Sequence, residues 1–243
     1  MFKSKEKPVI EFISMLPMLS EIEDTRPVPA NKFIPQWWKD MPFDLNMDKE
    51  KYRFESGLVK QCPAFPDLFS SGYILPMWAD TTIYFDKDTG IYEWKCGSMG
   101  SPFKINVFEQ YKFIDQANYT YKGNLANIIF QFVNPWYIRL AKGYSVFQLP
   151  LFYHPTGKYD ILPGTYDGHI ANTNKLEIAY FTDKEEIFIK KGTPLVQYIP
   201  YKKENFDLVI RDQTNEDLKM TSLDGVKRMG HFKNWYGQNR NRG

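Results

Sequence analysis

The residue types best suited to chemistry are sparse in this chain and badly spaced for it. His154, His169 and His231 stand far apart, with no His-x-His or His-Glu-x-x-His around them. A metal site would have to be assembled across strands from isolated side chains, and none is expected. Cys62 and Cys96 are too few for a disulfide framework and lack Cys-x-x-Cys spacing, so they read as reduced, mostly buried thiols. No Gly-x-x-x-x-Gly-Lys-Ser/Thr or Gly-x-Gly-x-x-Gly loop is present to cradle a phosphate. The stretch "CGSMGSP", with Gly97 and Gly100, reads as a turn. There is no nucleophile elbow, and Ser145 in "KGYSVF" falls within an expected strand as a packing residue. No cofactor is expected.

Any site must therefore be positioned by strands. "GYILPMWADTTIYFD" and "GIYEWKCG" are β-branched and aromatic runs around "KDTG", which has the residues of a hairpin turn. Further runs follow at "ANIIFQFVNPWYIRL", "YSVFQLPLFYHP", "KYDILP", "HIANTNKLEIAYFT", "EIFIKK", "PLVQYIP" and "FDLVIRD". This spacing predicts an all-β, mainly antiparallel domain over 56–213, a distorted barrel or sandwich. Residues 1–55 read as an extended N-terminal arm. Within it Val9–Ile13 alternate as a strand, and Pro35 opens a short helix that runs through Trp37 and Trp38 to Pro42. Adjacent residues of a helix cannot face one way, so one indole should pack on the body while the other is free to meet a partner. Residues 214–243 form an appendage that starts as a helix capped by Thr214 and Asp217. In "KKGTPLVQYIPYKK", Gly192 permits a turn, Pro194 suits the opening of a strand, Leu195, Val196 and Ile199 are core, and Gln197 is the polar residue able to face a cleft.

Composition narrows the function classes. With a formal net charge of +2, the whole molecule is not a strongly basic polyanion binder. An aromatic content of 17% favours pleated, half-buried surfaces and weights the reading towards binding interfaces. From Val226 to Gly243 there are five basic residues and no acid, interleaved with aromatics. Phe232, Lys233, Trp235, Tyr236, Arg240 and Arg242, with Trp37 and Trp38, are the candidate partner contacts. That mixture suits docking on an acidic protein neighbour, and nucleic acid is expected, if at all, only at this tail. Nowhere do 18 consecutive apolar residues occur, so no membrane partner is expected, and a reducing cytoplasm or a particle packaged from one is the implied setting.

Two stretches, "SSGYILPMWADTTIYFD" and "DILPGTYDGHIANTNKLEIAYFTDKEEIFIKKGTPLVQYIPYKK", resemble the dUTPase and dCTP deaminase family over about a quarter of the chain. The resemblance implies a β-clip barrel, commonly trimeric, with nucleotide sites between subunits. Carried over by motif, it implies a pocket of Tyr166, Asp167, His169 and Gln197, with Arg139 on phosphate. It also implies that the chemistry is missing. The place of the family's water-orienting aspartate is taken by Leu162 or Pro163, that of the early motif's Asp by Ile74, and for deamination only Glu177 is offered. The chain also resembles proteins of tailed bacteriophages and some bacteria through "PANKFIPQWWKDMP", "VKQCPAFPDLFSSGYILP" and "NPWYIRLAKGYSVF". That second resemblance transfers no activity. The expectation is a non-catalytic, phage-type protein that binds other protein subunits, as a homo-oligomer with a trimer possible or with virion proteins, in a virion or the host-cell cytoplasm. The alternative is a nucleotide-binding or nucleotide-processing protein with an altered site.

Overall fold

The computed structural model describes residues 10–41, 60, 62, 64–85, 92–97, 105–107, 120–121, 124–125, 128–154, 159–167, 175–180 and 186–220. In chain order the strands are β1 (Ile10–Ser14), β2 (Val28–Pro29), β3 (Tyr73–Pro76), β4 (Thr81–Phe85), β5 (Tyr92–Cys96), β6 (Ile105–Val107), β7 (Thr120–Tyr121) and β8 (Asn124–Leu125). They continue with β9 (Ile128–Val133), β10 (Trp136–Leu140), β11 (Tyr144–Pro150), β12 (Tyr159–Ile161), β13 (Gly164–Tyr166), β14 (Lys175–Tyr180), β15 (Glu186–Ile189) and β16 (Pro194–Lys202). Short helices α1 (Gln36–Asp40) and α2 (Ala64–Ser70) precede β3, and α3 covers 215–220. The fold is all-β.

Every described strand pair is antiparallel. The largest sheet runs β13-β11-β16-β3-β2, beside others ordered β12-β14-β9-β6, β15-β4-β5, β1-β10 and β7-β8. The described strands do not close into a barrel. Four of these sheets meet on one core that contains Leu75, Trp78, Ile83, Phe130, Trp136, Val146, Ile161 and Tyr198. Patterning explains the outer strands: in β10, Trp136, Ile138 and Leu140 are buried while Tyr137 and Arg139 alternate outward. The N-terminal strands belong to these sheets, β1 pairing with β10 and β2 with β3.

Strand β16 breaks the alternation because both of its faces are covered, and Leu195–Tyr198 are all at most 4% exposed. Gln197 shows how the second face is closed. Its Nε2 donates to the carbonyls of Leu68 (2.9 Å) and Ser71 (2.7 Å), groups left without intrahelical partners where α2 ends. Ile199 is half-buried, not core as expected, because it lies in the part of β16 beyond this double cover. Gly72, at φ +68, leads from α2 into β3 so closely that a Cβ there would stand 2.0 Å from the Tyr198 carbonyl oxygen. Gly192, at φ +82, makes the turn into β16 and donates its N–H to Met77 (2.8 Å).

Two further expectations need correction. "FDLVIRD" forms no strand: 203–214 belongs to no helix or strand, and Phe206, Leu208, Val209 and Ile210 are 75–86% exposed. The segment has strand-like residues, but no described strand is paired with it. Cys62 is exposed and Cys96 half-buried, so burial does not hold for the first thiol; both are free. No helix among the described residues is long and apolar enough to cross a membrane. The "KDTG" turn and "CGSMGSP" beyond Gly97 lie outside the described residues.

Candidate functional site

After β11 the chain turns through Leu151–His154, and with β12 and Leu195 of β16 this segment encloses a cleft of about 280 Å³. Phe152, Tyr153, His154, Tyr159, Asp160 and Ile161 are among the residues that line it. The wall is built under strain. Tyr153 holds φ 64, a left-handed conformation that is unfavourable for a bulky side chain and costs about 1–3 kcal/mol.

The N-terminal helices hold that conformation in place. The Trp37 indole Nε1 donates to the Tyr153 carbonyl at 3.0 Å. The Tyr153 ring lies 5.1 Å from Phe65, 5.9 Å from Phe69 and 6.2 Å from Trp37, centroid to centroid. Trp38 completes the cluster by stacking on Phe65 at 5.2 Å and meeting Phe69 edge-on. The "WW" pair is thus split as its helical spacing requires: Trp38 is 5% exposed and Trp37 41%, with the Trp37 N–H already spent inside the molecule.

Titration behaviour around the cleft follows from burial. Desolvation lowers the pKa of His154, a hydrogen bond to the Phe33 backbone working against it, so the imidazole is neutral at neutral pH. Burial pushes the Tyr159 phenol up to about 12, and it keeps its proton. Asp160 is raised by burial, offset in part by the Ile161 N–H, which donates to Oδ1 at 2.9 Å. Among the described residues no cation is paired with this carboxylate, and the described lining of the cleft holds no lysine or arginine.

The residues implied by the dUTPase-like motifs are distributed differently. Tyr166 and Asp167 are neighbours at the end of β13, and Asp167 forms an ion pair with Lys203. Gln197 lies two strands away and caps α2 rather than facing the cleft. Arg139 stands in another sheet, 3.3 Å from Glu11 of β1. His169 lies outside the described residues, as do Phe232, Lys233, Trp235, Tyr236, Arg240 and Arg242. Leu162 stands between β12 and β13, its carbonyl accepting from Gln148 Nε2 at 3.4 Å; Ile74 is buried in β3; and Glu177 is in register with Gln131. Among the described residues no group of three His, Cys, Asp or Glu converges as a metal site would require. Asp160, Tyr159, Phe152 and Tyr153 went unnoticed in the sequence. The available signal was an acid between apolar neighbours in "YDI".

No family model matches the chain, and no curated protein does. Among solved structures it is similar to a mutant dUTPase from phage phi11 of S. aureus, described with a structural Mg(II) ion, at a TM-score of 0.31 and 10% identity over 60% of this chain and 85% of that one. It is likewise similar to a mutant Staphylococcus bacteriophage 80alpha dUTPase with dUpNHpp, at a TM-score of 0.31 and 10% identity over 60% of this chain and 78% of that one. At such scores neither likeness bears on what this chain binds.

Proposed function

We propose that the protein works by binding other protein chains, in the first place copies of itself, through the segment 203–214. One observation carries this: Phe206, Leu208, Val209 and Ile210 stand 75–86% exposed a few residues beyond β16, whose Leu195–Tyr198 are buried. Four such side chains within five residues are an unsatisfied apolar surface, each worth about 1.5–3 kcal/mol once buried. Both ends of the segment are tied down. Lys203 donates its N–H to Gly143 (2.8 Å) and pairs with Asp167, while Arg211 grips Asp217, which also closes the Thr214 cap of α3. Phe206, Leu208 and Ile210 repeat at the strand period, so addition to an open sheet edge of a second copy would bury them together. β2 and β13 end the largest sheet and offer such edges. An assembling subunit of a virion, or a factor in the host-cell cytoplasm, is the setting in which this reading places it.

The test is molar mass by light scattering across a concentration series. The native chain is expected to be oligomeric, and the variant F206S/L208S/V209S/I210S monomeric with an unchanged far-ultraviolet spectrum. A native chain that stays monomeric, or a variant that keeps the native mass, overturns the reading.

A further inference from the structure

Strand β15 carries on its outer face a pattern that recurs, reversed, in the exposed segment 203–214. Among the described strands β15 pairs with β4 alone, so it ends the sheet β15-β4-β5. Its inner residues Ile187 and Ile189 are buried in the core, Glu186 and Phe188 point outward, and Lys190 continues the outer row just past the strand, exposed. Phe188, between this acid and this base, is 55% exposed.

In the segment, Asp207, Val209 and Arg211 alternate with Leu208 and Ile210. Laid antiparallel to β15 with Val209 opposite Phe188, it sets Arg211 against Glu186 and Asp207 against Lys190 on the outer row. On the inner row it sets Ile210 against Ile187 and Leu208 against Ile189. One register thus matches two opposite charges and three apolar pairs. A shift of two residues either way loses both charge pairs, and a parallel strand with the same centre would oppose Glu186 to Asp207 and Lys190 to Arg211. Arg211 can serve Glu186 as well as its own chain, because its bonds to Asp212 and Asp217 use three of its five N–H groups.

Other described edges fit less well. Strand β2 has two residues, one of them Pro29 with no N–H to donate, and β13 has three. In β5 the acid and base, Glu93 and Lys95, stand two residues apart, not the four that separate Asp207 from Arg211 and Glu186 from Lys190. Charges on an edge strand discourage indiscriminate pairing, and those beside Phe188 favour a strand of complementary sign.

Given self-association through 203–214, on which this inference rests, we propose that the receiving surface is the β15 edge of a second copy, to which the segment adds an antiparallel strand with Val209 opposite Phe188. Main-chain hydrogen bonds supply the affinity, and the two charge pairs fix orientation and register.

The experiment is hydrogen exchange of the full native chain, above and below the concentration at which light scattering shows association, joined to charge reversal at Lys190 and Asp207. In the oligomer, amides of 186–189 and 207–211 are expected to exchange about tenfold or more slower than in the monomer, with 28–29 and 164–166 unchanged. That readout needs no variant to fold. K190E and D207K should each weaken association about tenfold by setting like charges opposite each other, and the double variant K190E/D207K should recover most of the loss. Protection gained elsewhere but not in 186–189, single reversals without effect, or a double variant no tighter than the single ones overturns the β15 assignment and leaves assembly through 203–214 standing. A native chain that stays monomeric overturns both.

Discussion

Leu195–Tyr198 and Phe206–Ile210 are two short apolar runs of the same chain, a few residues apart, and they end in opposite environments. The first is covered on both faces; three of its members are fixed by backbone pairing to β3 and β11, and Gln197 is drawn in to cap a helix. The second has similar residue types and the same period, yet its apolar side chains stand in solvent. Hydrophobicity made both runs candidates for burial, but burial requires an available edge and a surface to cover. Within one chain those were supplied for only one run. The difference teaches that apolar residues alone do not secure burial, and the proposal above gives the exposed run a surface of another chain to cover.

That contrast can be tested by substitutions, best measured by urea unfolding in the monomeric F206S/L208S/V209S/I210S background, where assembly adds nothing to stability. The largest effect is expected from Tyr198→Ala, which empties a fully buried site and removes the hydroxyl that hydrogen-bonds Gln148 at 3.2 Å; a loss of about 3–5 kcal/mol should appear as a lower midpoint. Gly72→Ala should cost about 3 kcal/mol, because the added methyl meets rigid backbone at a left-handed φ. Gln197→Leu keeps the volume but removes both bonds from Nε2, leaving the Leu68 carbonyl only the Ser71 N–H at 3.2 Å, for about 2 kcal/mol. The four serine substitutions in the arm should themselves change monomer stability by less than about 0.5 kcal/mol, found by comparing midpoints at dilutions where the native chain has dissociated. A large loss there would mean that the arm packs on its own subunit, and the contrast would collapse.

The smallest effect has the opposite sign. Folding raises the pKa of Asp160, so ionisation costs stability as pH climbs from the ordinary aspartate range through the raised folded value. Asp160→Asn, which mimics the neutral acid, should therefore melt slightly higher than the native chain at neutral pH. The advantage should vanish below the ordinary aspartate range, where both side chains are neutral, and a melting-temperature series against pH checks it.

Much of this was legible in the residues. β-Branched and aromatic runs located β10 and β15, the turn glycine and Pro194 located the start of β16, and Thr214 with Asp217 marked the cap of α3 through bonds from the Thr214 N–H (2.8 Å) and hydroxyl (2.7 Å). Helical spacing was enough to say that Trp37 and Trp38 must part company. These features are local, set by side chains and backbone angles within a few residues.

What tertiary structure alone decided is everything that depends on distant segments meeting. It turned Gln197 from a cleft candidate into a helix cap 129 and 126 residues away from its acceptors, Leu68 and Ser71. It left "FDLVI" uncovered, and it brought Trp37 to the carbonyl of Tyr153, 116 residues on, to brace a cleft whose single carboxylate looked unremarkable in "YDI". The sequence by itself determined which segments want to pair and where they must turn. Which edge each segment finds, and which polar group is left facing a cavity, was decided by packing, because burial is a property of what surrounds a residue and not of the residue.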